Sequence, residues 1–97
     1  GRFQSVFERL ASLGFTMAGP QYPLGRRAAP WPKELPRDSQ NVPTYHTSQQ
    51  GPEGANRQHD FVFASSDLSE HLSVQARNEV TDWGPSDHCR LDIKFQF

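Results

Sequence analysis

The sequence predicts an α+β fold built as a single domain. Three observations support this fold class: apolar residues recur at helical spacing near the start, periodicity disappears through a long proline-rich tract, and short apolar or alternating segments follow. A helix followed by several strands is typical of α+β proteins with mixed or antiparallel pairing. Ninety-seven residues make at most one domain of ordinary size.

Residues 1–14 are predicted to form an amphipathic helix. One face is apolar, with residues three or four positions apart, while charged residues fall mostly elsewhere. Gly14 is well placed just past the helix end, where a positive φ costs a glycine little. Residues 15–18 are a candidate short strand. The apolar face consists of Phe3, Val6, Phe7, Leu10 and Leu13.

Residues 19–58 are predicted to form a proline-rich loop tract. All but one of the 8 prolines lie here, and each removes a backbone donor and restricts the residue before it. The tract is far longer than the roughly 12–15 residues of most unstructured connections. Three explanations stay open: a functional surface loop, partial disorder, or packing on protein outside this chain.

Residues 59–97 are predicted to be rich in β-structure, with three strands in one sheet. The strands are expected near residues 60–65, 72–80 and 90–97. The first is a short apolar run, typical of a strand buried on both faces. The other two alternate between apolar and polar residues, which predicts one buried and one solvated face.

The composition excludes several classes of protein. Lys plus Arg number 10 and Asp plus Glu number 11, a balance that argues against a polybasic protein but still allows a local patch to hold phosphates. One cysteine rules out a disulfide framework and a zinc site of several cysteines, and weakly favours an intracellular setting. No apolar run approaches the roughly 18–20 residues of a membrane span.

A possible acid/base pair lies in the β-rich segment. Asp60 stands at the start of an apolar strand, where a carboxylate must be solvated, hydrogen-bonded or paired. His88 lies in the turn between the last two strands, where binding groups are often displayed. A bond between them, at about 2.6–3.2 Å, would fix the imidazole tautomer and stabilise the imidazolium. The plainer alternative, in which both side chains are only solvated, stays open.

Other polar and aromatic residues have competing interpretations. Cys89 opens an apolar strand, where a buried and inert thiol is the common case. His88 and Cys89 are neighbours in an extended segment, so they point to opposite faces and cannot easily share a metal ion. Four arginines could meet phosphates or only keep loops solvated, and three aromatics could stack on bases or only cover apolar surface. These residues are Arg26, Arg27, Arg37, Arg57, Trp31, Trp83 and Tyr45.

Two motifs near the end of the chain resemble a known family. Residues 57–65 read Arg-Gln-His-Asp-Phe-Val-Phe-Ala-Ser, and residues 86–89 read Ser-Asp-His-Cys. In this order they resemble the closing segments of the endonuclease/exonuclease/phosphatase family, the DNase I-like metal-dependent phosphoesterases. The element Pro43-Thr44-Tyr45 and the helix ending at Gly14 are also similar to family segments.

The resemblance implies a fold and a function. The chain would be one partial domain, the C-terminal portion of a β-sandwich flanked by helices. His88 would contact the scissile phosphate as acid/base, Asp60 would orient His88, and Asp87 would belong to a Mg²⁺ and water network. The implied substrate is a phosphodiester, with nucleic acid one candidate, and the implied partner is the missing N-terminal part of the domain or another chain.

Two departures from the family pattern limit what the resemblance implies. His59 stands where the family has an apolar residue, which leaves the packing before the strand open. The family's upstream Asn, Glu and Asp-x-Asn motifs have no counterparts here, so the isolated chain is expected to be inactive. The alternative is a catalytically inactive fragment or relative that acts as a protein-interaction module through its proline-rich tract.

Overall fold

The fold is a small α+β arrangement, seen in a computed structural model that describes residues 4–97. The elements, in chain order, are α1 (Gln4–Ser12), β1 (Phe15–Gly19), β2 (Val62–Ser65), α2 (Ser66–Ser69), β3 (Leu72–Arg77) and β4 (Arg90–Phe95). Short 3-10 turns occur at Pro52–Gly54 and Val80–Asp82. The expected α+β class is therefore confirmed at this level.

Helix α1 leads directly into the first strand. Gly14 has φ +86°, in the region where glycine is favoured, and its amide closes the last turn on the carbonyl of Ala11. The aromatic ring of Phe7 packs edge-on against Phe61 and Phe63, with centroid distances of 5.1 and 5.4 Å. The predicted helix is present over the described residues, while Phe3 lies outside them.

The strands form two antiparallel pairs, so the expectation of one shared sheet is wrong. Strand β1 pairs with β2, and β3 pairs with β4. The short helix α2 follows β2 immediately and redirects the chain before β3 begins. The partner of β2 is therefore the distant segment Phe15–Gly19, and not the strand that follows it in the sequence.

All three expected strands are shorter than the sequence-based expectation, and the last ends at Phe95 and not at residue 97. Val80 lies in a 3-10 turn and not in the strand expected over 72–80, which ends at Arg77. His59 and Asp60 precede β2, whose four residues are half-buried and not fully enclosed. Asp60 therefore lies in the segment that leads into β2, where its side chain is 34% exposed.

The proline-rich tract packs on the strands of this chain. Apart from one 3-10 turn and the isolated bridges of Tyr45 to Arg57 and His88, residues 20–58 have no regular structure, as the prolines predict. The tract nevertheless contributes Val42 and Ala55 to the buried apolar cluster, where they meet Ala76 of β3, Trp83 and Cys89. The sequence left open that the tract packs on protein outside this chain; the structure shows it packed on the strands of this chain.

A buried asparagine fastens the tract to the strands. Asn78 is 1% exposed, and its side-chain oxygen accepts the amide of Arg26 at 2.7 Å. Its side-chain nitrogen donates to the carbonyls of Arg26 and Pro43, each at 2.8 Å. Three satisfied hydrogen bonds explain why a polar side chain is stable in this core.

Several large apolar side chains of the described residues face solvent. On β4 and beyond, Ile93, Phe95 and Phe97 are 46%, 60% and 87% exposed, whereas Leu91 packs on the core. Val6 and Leu13 of the α1 segment are also exposed. On the apolar face of β4, only Leu91 is thus covered by the core, while Ile93 and Phe95 stay exposed. None of the helices in residues 4–97 has the length and apolar character of a membrane span.

Candidate active site

Asp60 and His88 form the hydrogen bond expected from the sequence. The Oδ2 atom of Asp60 lies 2.8 Å from Nδ1 of His88. The two side chains are 34% and 46% exposed, so the pair sits at the surface and is open to a ligand. With Nδ1 donating to the carboxylate, the second ring nitrogen, Nε2, is left to face an incoming group.

The pair has an electrostatic consequence for His88. The hydrogen bond to Asp60 raises the pKa of His88 above its ordinary value, with smaller contributions from the charges of Asp60 and Asp87, while partial burial opposes the shift. A carboxylate that stabilises the imidazolium makes the ring a better proton acceptor. Asp87 thus lies close enough to influence His88 electrically.

Thr44 holds the two halves of the pair together. Its side chain is fully buried, and its Oγ1 accepts the backbone amides of His59 and Asp60 at 2.9 and 3.1 Å. Its carbonyl accepts the amide of Cys89 at 3.0 Å. One residue therefore fixes the backbone next to both members of the pair.

Gln58 supplies a second internal tie that the sequence did not indicate. This buried amide accepts the backbone N–H of Val42 at 3.0 Å and donates to the carbonyls of Pro20 and Asp60 at 3.0 and 3.3 Å. Its position two residues before Asp60 is the available signal, because a polar residue in that approach must find partners when buried. Gln58 thereby orients the backbone that carries the carboxylate.

The rings of Tyr45 and His59 lie beside the pair. The ring of Tyr45 stacks on His59 at 4.6 Å with an interplanar angle of 11°, and its centroid is 5.1 Å from the His88 ring. Tyr45 also bridges the backbone segments at Arg57 and His88. His59 stands where the resembled family has an apolar residue. Its half-buried ring stacks on Tyr45 and is not part of the buried apolar cluster.

The Ser86-Asp87-His88 turn is held by local bonds. Ser86 accepts the amide of His88 through Oγ at 3.1 Å, and the carbonyl of Asp87 accepts the amide of His46 at 2.9 Å. His46 also contacts the ring of Trp83, with centroids 4.9 Å apart. These contacts fix the turn while the Asp87 side chain stays exposed.

Cys89 is a structural residue. Its side chain is 8% exposed, and burial raises the pKa of the thiol to about 11. A reactive cysteine needs a lowered pKa and access to solvent. The inert interpretation of Cys89 is the one that its surroundings support.

Most of the arginine and aromatic candidates have structural roles. Arg27 lies over the ring of Trp31 at 4.0 Å, near Tyr22, and donates to loop carbonyls. The buried indole of Trp83 donates to the carbonyl of Asn78 at 3.1 Å. Arg26 donates to backbone carbonyls of Asn78 and Pro52. Arg37 and Arg57 are exposed, and Arg57 lines a shallow pocket with His59.

The described residues do not assemble a complete metal site. Within residues 4–97, no group of three or more His, Cys, Asp or Glu side chains is arranged to hold an ion. Mg²⁺ takes oxygen ligands in an octahedral shell. Asp87 offers one carboxylate at the site, and it does not amount to a magnesium site.

Neither a family model, nor a curated protein, nor a solved structure matches this chain. The family resemblance therefore rests on the sequence motifs alone.

Proposed function

We propose that this chain supplies the His–Asp acid/base pair of a metal-dependent phosphodiesterase of the endonuclease/exonuclease/phosphatase type. In this proposal it forms the C-terminal portion of a DNase I-like β-sandwich. The single observation that supports it most is the 2.8 Å bond between Asp60 Oδ2 and His88 Nδ1 on an exposed turn. Two separated sequence motifs are needed to make this bond, and Thr44 ties them together.

The roles of the pair follow from its chemistry. His88 contacts the scissile phosphate and transfers a proton through Nε2, while Asp60 keeps Nδ1 protonated and stabilises the charged ring. Such acid–base help typically contributes about 10²–10⁴-fold to a rate. Asp87, exposed beside His88, belongs in this proposal to the network around the metal ion.

A Mg²⁺ ion would supply neutralisation of phosphoryl charge when bound. Asp87 is the one candidate ligand at the site, and no cluster of three ligands occurs in residues 4–97. The remaining ligands would have to come from protein outside the described residues. We therefore expect no Mg²⁺-dependent turnover from the isolated 97-residue chain.

The exposed apolar residues fit this proposal. Ile93 and Phe95 lie on the face of β4 opposite its charged residues, and both are largely exposed. In a complete sandwich, this face would be covered by the remainder of the domain or by another chain. An uncovered apolar strand face invites association.

The experiment compares variants in the natural full-length protein, with a phosphodiester substrate and Mg²⁺. His88→Ala and Asp60→Asn should each reduce kcat/KM by at least about 10²-fold, the lower range for acid–base catalysis. His71→Ala is the matched control, because His71 bonds to the carbonyl of Gln96 and faces Glu70, away from the pair. Equal activity in His88→Ala and His71→Ala would refute the proposal.

Two further outcomes decide between the alternatives. Turnover by the isolated chain as a stable monomer, abolished by His88→Ala, would show a complete enzyme and overturn the partial-domain interpretation. A folded full-length protein with no phosphodiesterase activity would favour the protein-interaction module.

A further inference from the structure

The polar face of the β3–β4 pair carries a group of charged side chains outside the His–Asp site. Arg77 stands directly opposite Arg90 across the pair, and Lys94 stands opposite Ser73. Directly opposed residues on an antiparallel pair share one face, and like charges there are unfavourable. Two opposed guanidiniums therefore require an explanation. The group, called here the arginine strip, consists of Arg77, Arg90, Asp92 and Lys94.

Asp92 holds the two guanidiniums in place. Its Oδ2 accepts Nε of Arg77 at 2.6 Å, and its Oδ1 accepts Nε of Arg90 at 2.9 Å. The hydrogen bond from Arg77, followed by that from Arg90, lowers the pKa of Asp92 below its ordinary value. Both carboxylate oxygens are used, and each takes the inner nitrogen of a guanidinium.

This geometry leaves the outer nitrogens of both arginines available. Within residues 4–97, the terminal nitrogens of Arg77 and Arg90 donate no hydrogen bond to the protein. The two side chains are 44% and 72% exposed. Paired guanidinium N–H groups bind phosphate oxygens in a bidentate manner. Asp92 thus presents two oriented phosphate-binding groups to solvent.

The strip is locally cationic although the chain is not. Two arginines contact the Asp92 carboxylate, and Lys94 lies two residues further along β4 on the same face. These four groups carry a local formal charge of +2 in a chain whose formal net charge is -1. Glu79 and Asp82 border a pocket beside Arg77, but neither lies within 4.0 Å of its charged nitrogens. An ion pair with Asp92 that served only to stabilise the fold would need one arginine and not two. Exposed ion pairs also contribute little to the free energy of unfolding.

The strip lies on the same side of the chain as His88. His88 and Arg90 are exposed while Cys89 between them is buried, the alternation expected of an extended segment. Two residues of extended chain span about 6.6 Å. A phosphate held by the arginine strip is therefore a different group from a phosphate held at His88.

We propose that the arginine strip binds a backbone phosphate of a nucleic-acid strand whose neighbouring phosphate lies at His88. This inference rests on the proposed function, which places the scissile phosphate at His88. A small diester with a single phosphate cannot use both places, whereas a nucleic-acid strand carries phosphates in series. A membrane surface fits less well, because the exposed apolar side chains Ile93 and Phe95 lie on the other face of β4.

The test measures strand binding by the 97-residue chain. Fluorescence anisotropy with a labelled oligothymidylate is recorded over a salt series, for the wild type and for Arg77→Gln combined with Arg90→Gln. We expect at least about 10-fold weaker binding at low salt, and a plot of log K against log salt that is less steep by about 0.7, the value for one single-strand phosphate that is no longer neutralised. Arg9→Gln combined with Arg37→Gln removes the same charge from exposed sites elsewhere and should leave the slope unchanged.

Further variants separate this inference from the proposed function. Lys94→Gln leaves both arginines on the phosphate, so it should change the steepness of the salt dependence clearly less than the Arg77→Gln and Arg90→Gln double variant does. His88→Ala should change the affinity for the strand by less than about threefold, because the arginine strip stays intact. Loss of activity with unchanged strand binding would therefore show that His88 acts in the reaction and the strip in binding. Equal slopes in the two double variants, or no binding by the wild type, would overturn the inference. Binding to phosphatidylserine vesicles but not to the oligonucleotide would also overturn it, in favour of a lipid surface.

Discussion

Thr44→Val is the sharpest structural perturbation of the proposed site. Valine keeps the branched shape of threonine, so the main change is the loss of the hydroxyl that accepts the amides of His59 and Asp60. Thr44 is fully buried, and its γ-oxygen cannot be replaced there by bulk water. The substitution therefore tests whether this residue holds the carboxylate segment in place.

The expected cost follows from the two amides. A buried donor left without a partner costs roughly 1–3 kcal/mol. His59 and Asp60 are half-buried, so water can partly satisfy their amides and the lower end applies to each. We expect a total loss of about 2 kcal/mol, which lowers the melting temperature of a domain this size by about 8–16 °C.

Thermal melting followed by circular dichroism measures this loss. Thr81→Val is the matched control, since Thr81 is exposed, and it should change stability by less than about 0.5 kcal/mol. Amide hydrogen exchange should also accelerate at His59 and Asp60 in Thr44→Val. Equal melting temperatures in the two valine variants would refute the role given to Thr44.

Three other predictions follow from the described residues. Cys89, with a thiol pKa of about 11, should resist alkylation at about pH 8 in the native chain and react quickly in urea; rapid native labelling would contradict its burial. Gly25→Ala should lower the free energy of unfolding, measured by chemical denaturation, more than Gly84→Ala does. A Cβ at Gly25 would lie 3.0 Å from the Cβ of Ala76, whereas a Cβ at Gly84 would meet open space. Equal losses of stability in the two variants would contradict this packing. Phe95→Ser should reduce binding of a hydrophobic dye and change stability by less than about 0.5 kcal/mol, and a large loss of stability would show that Phe95 is packed.

The sequence predicts local features of this fold better than its long-range pairing. Residues 4–12 show helical spacing, and Gly14 ends the helix with the expected positive φ. The alternation over residues 72–77 and 90–95 correctly marks β3 and β4, whose partners are separated by one turn region. The pairing of β1 with β2 joins Phe15–Gly19 to Val62–Ser65 across the whole proline-rich tract, and no periodicity encodes which distant strand is the partner.

The candidate site was predictable where chemistry requires a partner. A carboxylate at Asp60 and a histidine in a turn indicate a bond, and the bond is present. The supporting residues Gln58 and Asn78 were not predicted, because a polar residue in a loop is usually solvated and only the folded tract buries these two. The arginine strip depends on cross-strand register, which fixes the opposition of Arg77 and Arg90.

The pH dependence of the site follows from the direction of the His88 shift. A histidine whose pKa is higher in the folded chain than in the unfolded chain stabilises the fold fully below its unfolded pKa. That stabilisation is lost as the pH rises through the folded pKa. The contribution of the Asp60–His88 pair to stability is therefore larger in mildly acidic solution than above neutrality, and Asp60→Asn should remove this difference.

NMR titration of the His88 imidazole, in the wild type and in Asp60→Asn, measures whether Asp60 and His88 act as a pair. We expect the wild-type pKa of His88 to lie above the ordinary histidine value, because Asp60 accepts the Nδ1 proton, and to fall in Asp60→Asn. A His88 pKa that is the same in the two proteins would contradict an acid/base pair at this site.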